Sequence, residues 1–230
     1  ISRQQKQYLA RQKKEKHIIL AARTLLFVLF MGLWEISSDL GWIDSFIFSS
    51  PSKITLCFLE MLKNRSLFLH IGITLYETFI SFILVILLSI LAAILLWYSK
   101  KLSEILEPYL VVLNSLPKSA LAPLLIVWLG ATSKTIIIAG MSVAIFGSIL
   151  NLYTAFINVD QEKIKLIYTL HGNRRHALTK VVLPSSVPAI ISNMKVNIGL
   201  CLVGVIIGEF LADKLAELLE EQIAGKTDAI

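Results

Sequence analysis

Long apolar stretches dominate the chain, and shorter polar segments separate them. A helix needs about 20 residues to cross the hydrocarbon core of a bilayer, and five stretches reach that length. Their runs of Ile, Leu and Val lack alternating polar positions, which favours helices over the strands of a membrane barrel. The pattern therefore predicts an all-α, polytopic membrane helix bundle with spans at 18–37, 71–98, 105–129, 135–157 and 187–210.

The third stretch contains three prolines, Pro108, Pro117 and Pro123. Proline removes a backbone donor and disfavours helix at the residue before it. Two interpretations stay open at this point. The stretch is either a kinked helix or a broken one, and a broken helix is tolerated in a membrane where it lines a cavity or packs inside protein.

Two shorter segments have an amphipathic helical pattern. Residues 51–63 begin at Pro51 and place their apolar residues on one side, which suits a helix at the membrane interface. Residues 160–170 lie in the longest internal polar connection, 158–186, with Ile164, Ile167, Tyr168 and, by the same spacing, His171 on one side. Gly172 is placed to end that helix.

Composition agrees with a membrane protein. Of the 230 residues, 56% are hydrophobic and only 17% are charged, which excludes a disordered chain. The two cysteines provide no disulfide framework or zinc spacing. The net charge of +6 clusters between apolar stretches, so we interpret it as setting membrane orientation and not as binding nucleic acid.

Lysine and arginine counts predict that orientation. With residues 1–17 as a basic cytoplasmic tail, thirteen of these residues fall on the cytoplasmic side and six on the other. The 158–186 connection is then cytoplasmic. Residues 211–230 carry five acidic residues and are expected to form a separate amphipathic surface helix, an atypical end that suggests a truncated or altered chain.

The sequence contains no recognisable catalytic motif. No P-loop, GxSxG or GxGxxG occurs, and His171 and His176 are five residues apart and do not share a helix face. We therefore predict no catalytic residue, metal site or bound cofactor. Charged residues inside spans are functional candidates by default, namely Lys118, Lys195, Glu77 and Glu209. Each can instead be a snorkelling or paired structural residue.

Three motifs resemble one family. Val181, Val182, Leu183, Pro184 and Pro188 resemble the second half of the cytoplasmic signature of permease subunits in binding-protein-dependent ABC importers, of the nitrate, sulfonate and taurine type. The first half departs from it, with Lys165 at the usual Glu, Leu166 and Ile167 at the usual Ala pair, and His171 at the usual Gly. The segments 116–130 and 208–210 are similar to the family's proline-rich third helix and the end of its fifth helix.

The resemblance implies a type I importer permease in the bacterial cell membrane, in which the chain would lack the family's sixth span. It implies two permease copies, an ATP-hydrolysing partner subunit and an extracytoplasmic solute-binding protein. The ATPase-coupling residues would be Lys165, Leu166, Ile167, Leu170, His171, Gly172, Arg174, Arg175, Leu183 and Pro184. The translocation pathway would include Pro117, Lys118, Pro123, Lys195 and Glu209.

The substrate expected from the resemblance is a small anion such as nitrate, a sulfonate or taurine, and the two span lysines agree with an anion. Two alternatives stay open: a permease for a vitamin precursor, or a non-transport intramembrane enzyme or scaffold.

Overall fold

The computed structural model describes residues 3–42 and 48–227, and the side chains of 14–42, 48–117 and 120–218. Every regular element in these ranges is helical, which confirms the predicted fold class. The helices are α1 (Arg3–Asp39), α2 (Pro51–Lys63), α3 (Ser66–Tyr98), α4 (Lys100–Ser115), α5 (Lys118–Leu129), α6 (Ser133–Ile157), α7 (Gln161–Thr169), α8 (Arg174–Ala177) and α9 (Leu183–Thr227), with a π-helical turn at Leu178–Val182.

The chain forms two compact units, residues 1–70 and 71–230. In the first unit, the Ser50 side chain caps α2 by accepting a hydrogen bond from the Lys53 N–H at 3.3 Å. The Glu35 carboxylate of α1 accepts the Ser52 N–H at 3.1 Å. A carboxylate is favourable there because the first turn of a helix has free N–H groups and a positive dipole end. The structure thus confirms the predicted helix at 51–63.

Four described helices are long and apolar enough to cross a membrane: Lys14–Asp39, Ser66–Tyr98, Ser133–Ile157 and Arg174–Leu218. A fifth span results if the pair Lys100–Ser115 and Ala120–Leu129 is counted as one, with a bend of 98° between its halves. The third predicted span is therefore interrupted, as a broken span or a re-entrant loop, and the alternative of a merely kinked helix is wrong.

Only one of the three prolines breaks this span. Pro108 and Pro123 lie inside α4 and α5. Leu116, which precedes Pro117, has an extended conformation with φ −63° and ψ 145°. Proline disfavours the helical conformation of the residue before it, and this effect ends α4 at Ser115.

Two glycines set the packing of the second unit. A Cβ at Gly204 would lie 2.8 Å from the Gly140 Cα, and a Cβ at Gly140 would lie 2.8 Å from the Val205 side chain. Helices α6 and α9 therefore cross in close contact, as small residues allow inside membrane proteins. Ser81 of α3 joins this crossing by donating its hydroxyl to the Ile137 carbonyl at 3.0 Å.

Helix α9 is longer than the predicted fifth span at both ends. It begins at Leu183 and includes Pro184 and Pro188. The π-helical turn before it bonds the Leu183 N–H to the Leu178 carbonyl, so the backbone enters Pro184 through a widened turn. At the other end the helix continues to Thr227 with no break at 210.

Residues 211–227 of the acidic tail expected at 211–230 are therefore the continuation of α9, and 228–230 lie outside the described residues. No proline or glycine lies between residues 209 and 224, so nothing in the local sequence ends the helix there. Leu211 and Leu215 pack against a cluster that includes Ile126 of α5 and Ile136 of α6. Side chains beyond residue 218 lie outside the described residues.

Candidate functional site: a loop packed on one end of the bundle

Helix α7 begins at a polar cap and is anchored by two isoleucines. The Asp160 carboxylate accepts the Glu162 N–H at 2.9 Å. Ile164 is buried, and Ile167 is partly buried against the same apolar cluster, which contains Ala93 and Leu96 of α3 and Phe156 of α6. We call this end of the second unit, where α3 and α6 finish, the loop end. The predicted amphipathic pattern is confirmed for its two isoleucines.

The end of α7 is a Schellman motif. The Gly172 N–H bonds to the Ile167 carbonyl at 2.8 Å, and the His171 N–H bonds to the Tyr168 carbonyl at 3.1 Å. His171 holds the left-handed conformation with φ 58°, which glycine adopts without steric cost. This is the position where the family signature has glycine. Gly172 is also constrained, because a Cβ there would lie 2.5 Å from the Ile167 side chain.

Two predicted coupling residues form an exposed apolar patch. Leu166 and Leu170 are one helical turn apart, and their exposed fractions are 58% and 71%. Lys165 and Tyr168 beside them are also exposed. The sequence pattern placed Tyr168 on the same side as the two isoleucines, whereas the structure leaves it largely accessible. The apolar residues of α7 thus divide into an anchored pair and an accessible pair.

The two arginines of the loop differ in their surroundings. Both lie in the first turn of α8, which Asn173 caps by accepting the His176 N–H at 3.0 Å. Arg174 Nη2 donates to the Trp97 carbonyl of α3 at 2.8 Å. Its guanidinium carbon also lies 5.3 Å from the Trp97 ring centroid and 5.4 Å from that of Tyr98. Arg175 is exposed, and no such side-chain contact is found for it within the described part of the chain.

The remaining predicted loop residues complete the same surface. Leu183 packs against the cluster at the loop end, and Pro184 is exposed at the start of α9. The ten predicted coupling residues therefore lie on one continuous segment, from α7 to the first turn of α9, that packs on the ends of α3 and α6. Their role as coupling residues stays a prediction.

Two of the predicted pathway residues, Lys195 and Glu209, lie far apart on α9. Pro117 lies at the break between α4 and α5, and the Lys118 side chain is outside the described residues. Pro123 lines a groove of about 180 Å³ between α5 and the last part of α9. Lys195 is exposed, and fourteen residues of helix separate it from Glu209, or about 21 Å. The pathway assignment therefore stays a prediction.

Glu209 has a carboxylate as its neighbour. Its two oxygens accept the Thr74 hydroxyl at 2.8 and 3.0 Å. Glu77 is only 1% exposed, and its carboxylate oxygens make no hydrogen bond of regular geometry in the described structure. Ser133 and Glu209 are near enough for weaker hydrogen-bond contacts with it, and the Glu209 carboxylate also acts on it as a charge. From the sequence, Glu77 and Glu209 were functional candidates or paired structural residues in separate spans, and the structure places them beside each other.

A buried polar group between α6 and α9 was not predicted from the sequence. Asn193 and Asn197 both donate to the Ser148 hydroxyl, at 2.6 and 2.8 Å. Asn151 lies at the edge of the same group, with its amide 3.5 Å from the Asn193 oxygen. The sequence pattern that could have predicted this group is a pair of asparagines four residues apart inside an apolar stretch, since residues at that spacing lie on one helix face.

The sequence model of one protein family matches residues 85–225, which is more than half of the chain. That family is described as the inner-membrane component of binding-protein-dependent transport systems. The chain belongs to this family. The matched range begins in α3 and includes the whole loop and most of α9. The family match therefore covers the helices that build the loop end.

Relatives support the same assignment. A Bacillus subtilis permease assigned by its name to aliphatic sulfonates is 28% identical over 189 residues, covering 81% of this chain and 68% of the relative. A formylaminopyrimidine transport permease of Halalkalibacterium halodurans is 26% identical over 188 residues, covering 82% and 74%. A riboflavin transport system permease of Chloroflexus aurantiacus is 24% identical over 188 residues, covering 82% and 70%. The protein is thus an inner-membrane, multi-pass ABC transporter permease.

Proposed function

We propose that this permease forms the substrate pathway of an importer and is driven by a separate ATPase subunit that docks on the loop. Two copies of the chain and an extracytoplasmic solute-binding protein would complete the assembly, and ATP would be bound and hydrolysed by the partner alone. The observation that carries this proposal is the exposed Leu166–Leu170 patch on a helix whose two isoleucines are anchored in the bundle.

An anchored helix with an exposed apolar patch suits transmission of force. Leu166 and Leu170 have the one-turn spacing with which a helix inserts apolar side chains into a partner's groove. Ile164 and Ile167 fix the same helix to the ends of α3 and α6. A displacement of the patch by the ATPase would therefore move the spans, which is the helix rearrangement that alternating access requires.

The proposed orientation places the N-terminus and the loop in the cytoplasm. It is supported by the thirteen-to-six division of basic residues. Reporter fusions after Lys101 and Arg175 should give cytoplasmic signals, and a fusion after Lys134 should give an external signal. Inverted signals would contradict the orientation.

A cysteine at position 170 tests the docking. In the assembled transporter carrying Leu170→Cys, the thiol should cross-link to a cysteine on the ATPase surface. Leu170→Asp should abolish substrate-stimulated ATPase activity while the permease still inserts and purifies. Ile167→Asp is the matched comparison, because that side chain is partly buried and its loss should instead make the loop sensitive to protease. Failure to cross-link in every nucleotide state would refute the proposal and favour an intramembrane enzyme or scaffold.

We propose a small organic sulfonate as the substrate, with a vitamin precursor as the second candidate. The names of the Bacillus subtilis, Halalkalibacterium halodurans and Chloroflexus aurantiacus relatives support these two classes. Uptake of radiolabelled sulfonate, formylaminopyrimidine and riboflavin by the reconstituted transporter distinguishes them. If Lys118 and Lys195 contact an anion on its path, Lys118→Gln and Lys195→Gln should each lower sulfonate uptake while assembly persists. Unchanged uptake in the double variant would show that these two lysines do not contact the substrate on its path.

A further inference from the structure

Arg174 bonds the loop to the last turn of α3. Trp97 is the penultimate residue of that helix, and its carbonyl is one of the last four, which have no partner inside an α-helix. The Arg174 guanidinium donates to this carbonyl at 2.8 Å. A cation at a helix C-terminus is also favoured by the helix dipole.

The same guanidinium contacts two aromatic rings. Its carbon lies 5.3 Å from the Trp97 ring centroid and 5.4 Å from the Tyr98 ring centroid, both inside the range of a cation–π interaction. A planar guanidinium can stack on a ring and donate a hydrogen bond at once, which a lysine ammonium does less well. Arg174 therefore holds α3 by three directional contacts.

The other contacts between the loop and α3 are apolar. Ile164 and Ile167 share a cluster with Ala93 and Leu96. Apolar packing has little directional preference, so these contacts tolerate sliding of α7 across α3. A hydrogen bond to a fixed backbone carbonyl depends on direction and distance and opposes such sliding.

We propose that Arg174 is a positioning residue that makes the loop and the second membrane span move together. Displacement of the loop by the ATPase would then move α3 directly, and not only through the apolar cluster. This inference rests on the proposed docking of an ATPase on the loop. It assigns Arg174 no contact with substrate.

The ratio of solute transported to ATP hydrolysed tests this role in the reconstituted transporter. Arg174→Ala should lower the ratio by about fivefold or more, the low end of typical coupling between sites, while the KM for ATP stays unchanged. Arg174→Lys should recover part of the loss, because it keeps the charge. Lys101→Ala is the matched control, an exposed basic residue outside the predicted coupling residues, and should keep the wild-type ratio.

A wild-type ratio in Arg174→Ala would overturn the inference. If Arg174→Ala does not assemble, the ratio is measured in Arg174→Lys instead. A wild-type ratio in that variant would also overturn the inference. An equal loss in Lys101→Ala would show a general charge effect and would also overturn it. The Leu170→Cys cross-link separates the two proposals: if it forms while the ratio is unchanged, docking stands and only the role of Arg174 fails.

Discussion

The end of α7 permits a test in which two adjacent substitutions act with opposite signs. His171 holds φ 58°, a conformation that costs a residue with a side chain about 1–2 kcal/mol. His171→Gly removes that cost, but glycine loses roughly 0.5–1 kcal/mol more conformational freedom on folding. The net stabilisation of the loop should therefore be about 0.5–1 kcal/mol.

Gly172→Ala should act in the opposite direction. Its new Cβ would lie 2.5 Å from the Ile167 Cγ2 and 2.7 Å from the Ile167 carbonyl oxygen. The side-chain methyl can rotate away, whereas the carbonyl oxygen is held by the Gly172 N–H at 2.8 Å. Relief of the clash requires the Schellman motif to open, at a cost of about 1–3 kcal/mol, as for other overpacked sites.

Limited trypsin digestion of the purified protein measures both effects locally, because Arg174 and Arg175 follow the motif directly. When opening and closing are fast, the cleavage rate follows the population of the open loop. A change of 1.4 kcal/mol is a tenfold change in that population. We expect cleavage about two- to fivefold slower in His171→Gly and roughly five- to 150-fold faster in Gly172→Ala.

Gly199→Ala is the control, since no atom lies within 4 Å of the position of its new Cβ and it is distant from the loop in sequence. Its cleavage rate should match the wild type. Faster cleavage in His171→Gly, or an unchanged rate in Gly172→Ala, would refute the reasoning from backbone conformation.

Two further predictions use thermal unfolding, followed in a Cys57→Ser background with a thiol-reactive dye that reports exposure of the buried Cys201. Gly204→Ala should lower the unfolding midpoint by an amount equivalent to about 1–3 kcal/mol, because its Cβ would meet the Gly140 Cα at 2.8 Å. A midpoint as high as that of Gly199→Ala would contradict the close crossing of α6 and α9. Glu77→Gln should raise the midpoint, because it replaces an ionisable group that is buried beside a second carboxyl group, that of Glu209, with a neutral amide of similar size. A lower midpoint would show that a neighbouring group stabilises the Glu77 carboxyl group.

The sequence by itself determined the elements that depend on local chain properties. Apolar length located the membrane spans, and Pro51 located the start of α2, because span length and helix starts depend only on neighbouring residues. The amphipathic spacing of Ile164 and Ile167 located the loop helix. The Leu183–Pro184 motif indicated the permease family to which the chain belongs.

The tertiary structure decided the features that depend on contacts between distant residues. Only Pro117 breaks its span, although three prolines have the same local chemistry, since packing can retain a helix around the other two. The acidic sequence after residue 210 suggested a separate surface tail, whereas in the structure Leu211 and Leu215 pack against apolar neighbours on α5 and α6.

The charged residues show most clearly which features the sequence determines and which features the fold determines. In the sequence, Arg174 and Arg175 are equivalent basic residues, and Glu77 and Glu209 are two acids in separate spans. In the structure, 77 residues of chain fold back to place Trp97 against Arg174, and the packing of α3 with α9 places Glu77 beside Glu209. Side-chain electrostatics act over a few ångströms, so the sequence determined which charges are present, and only the fold determined which of them interact.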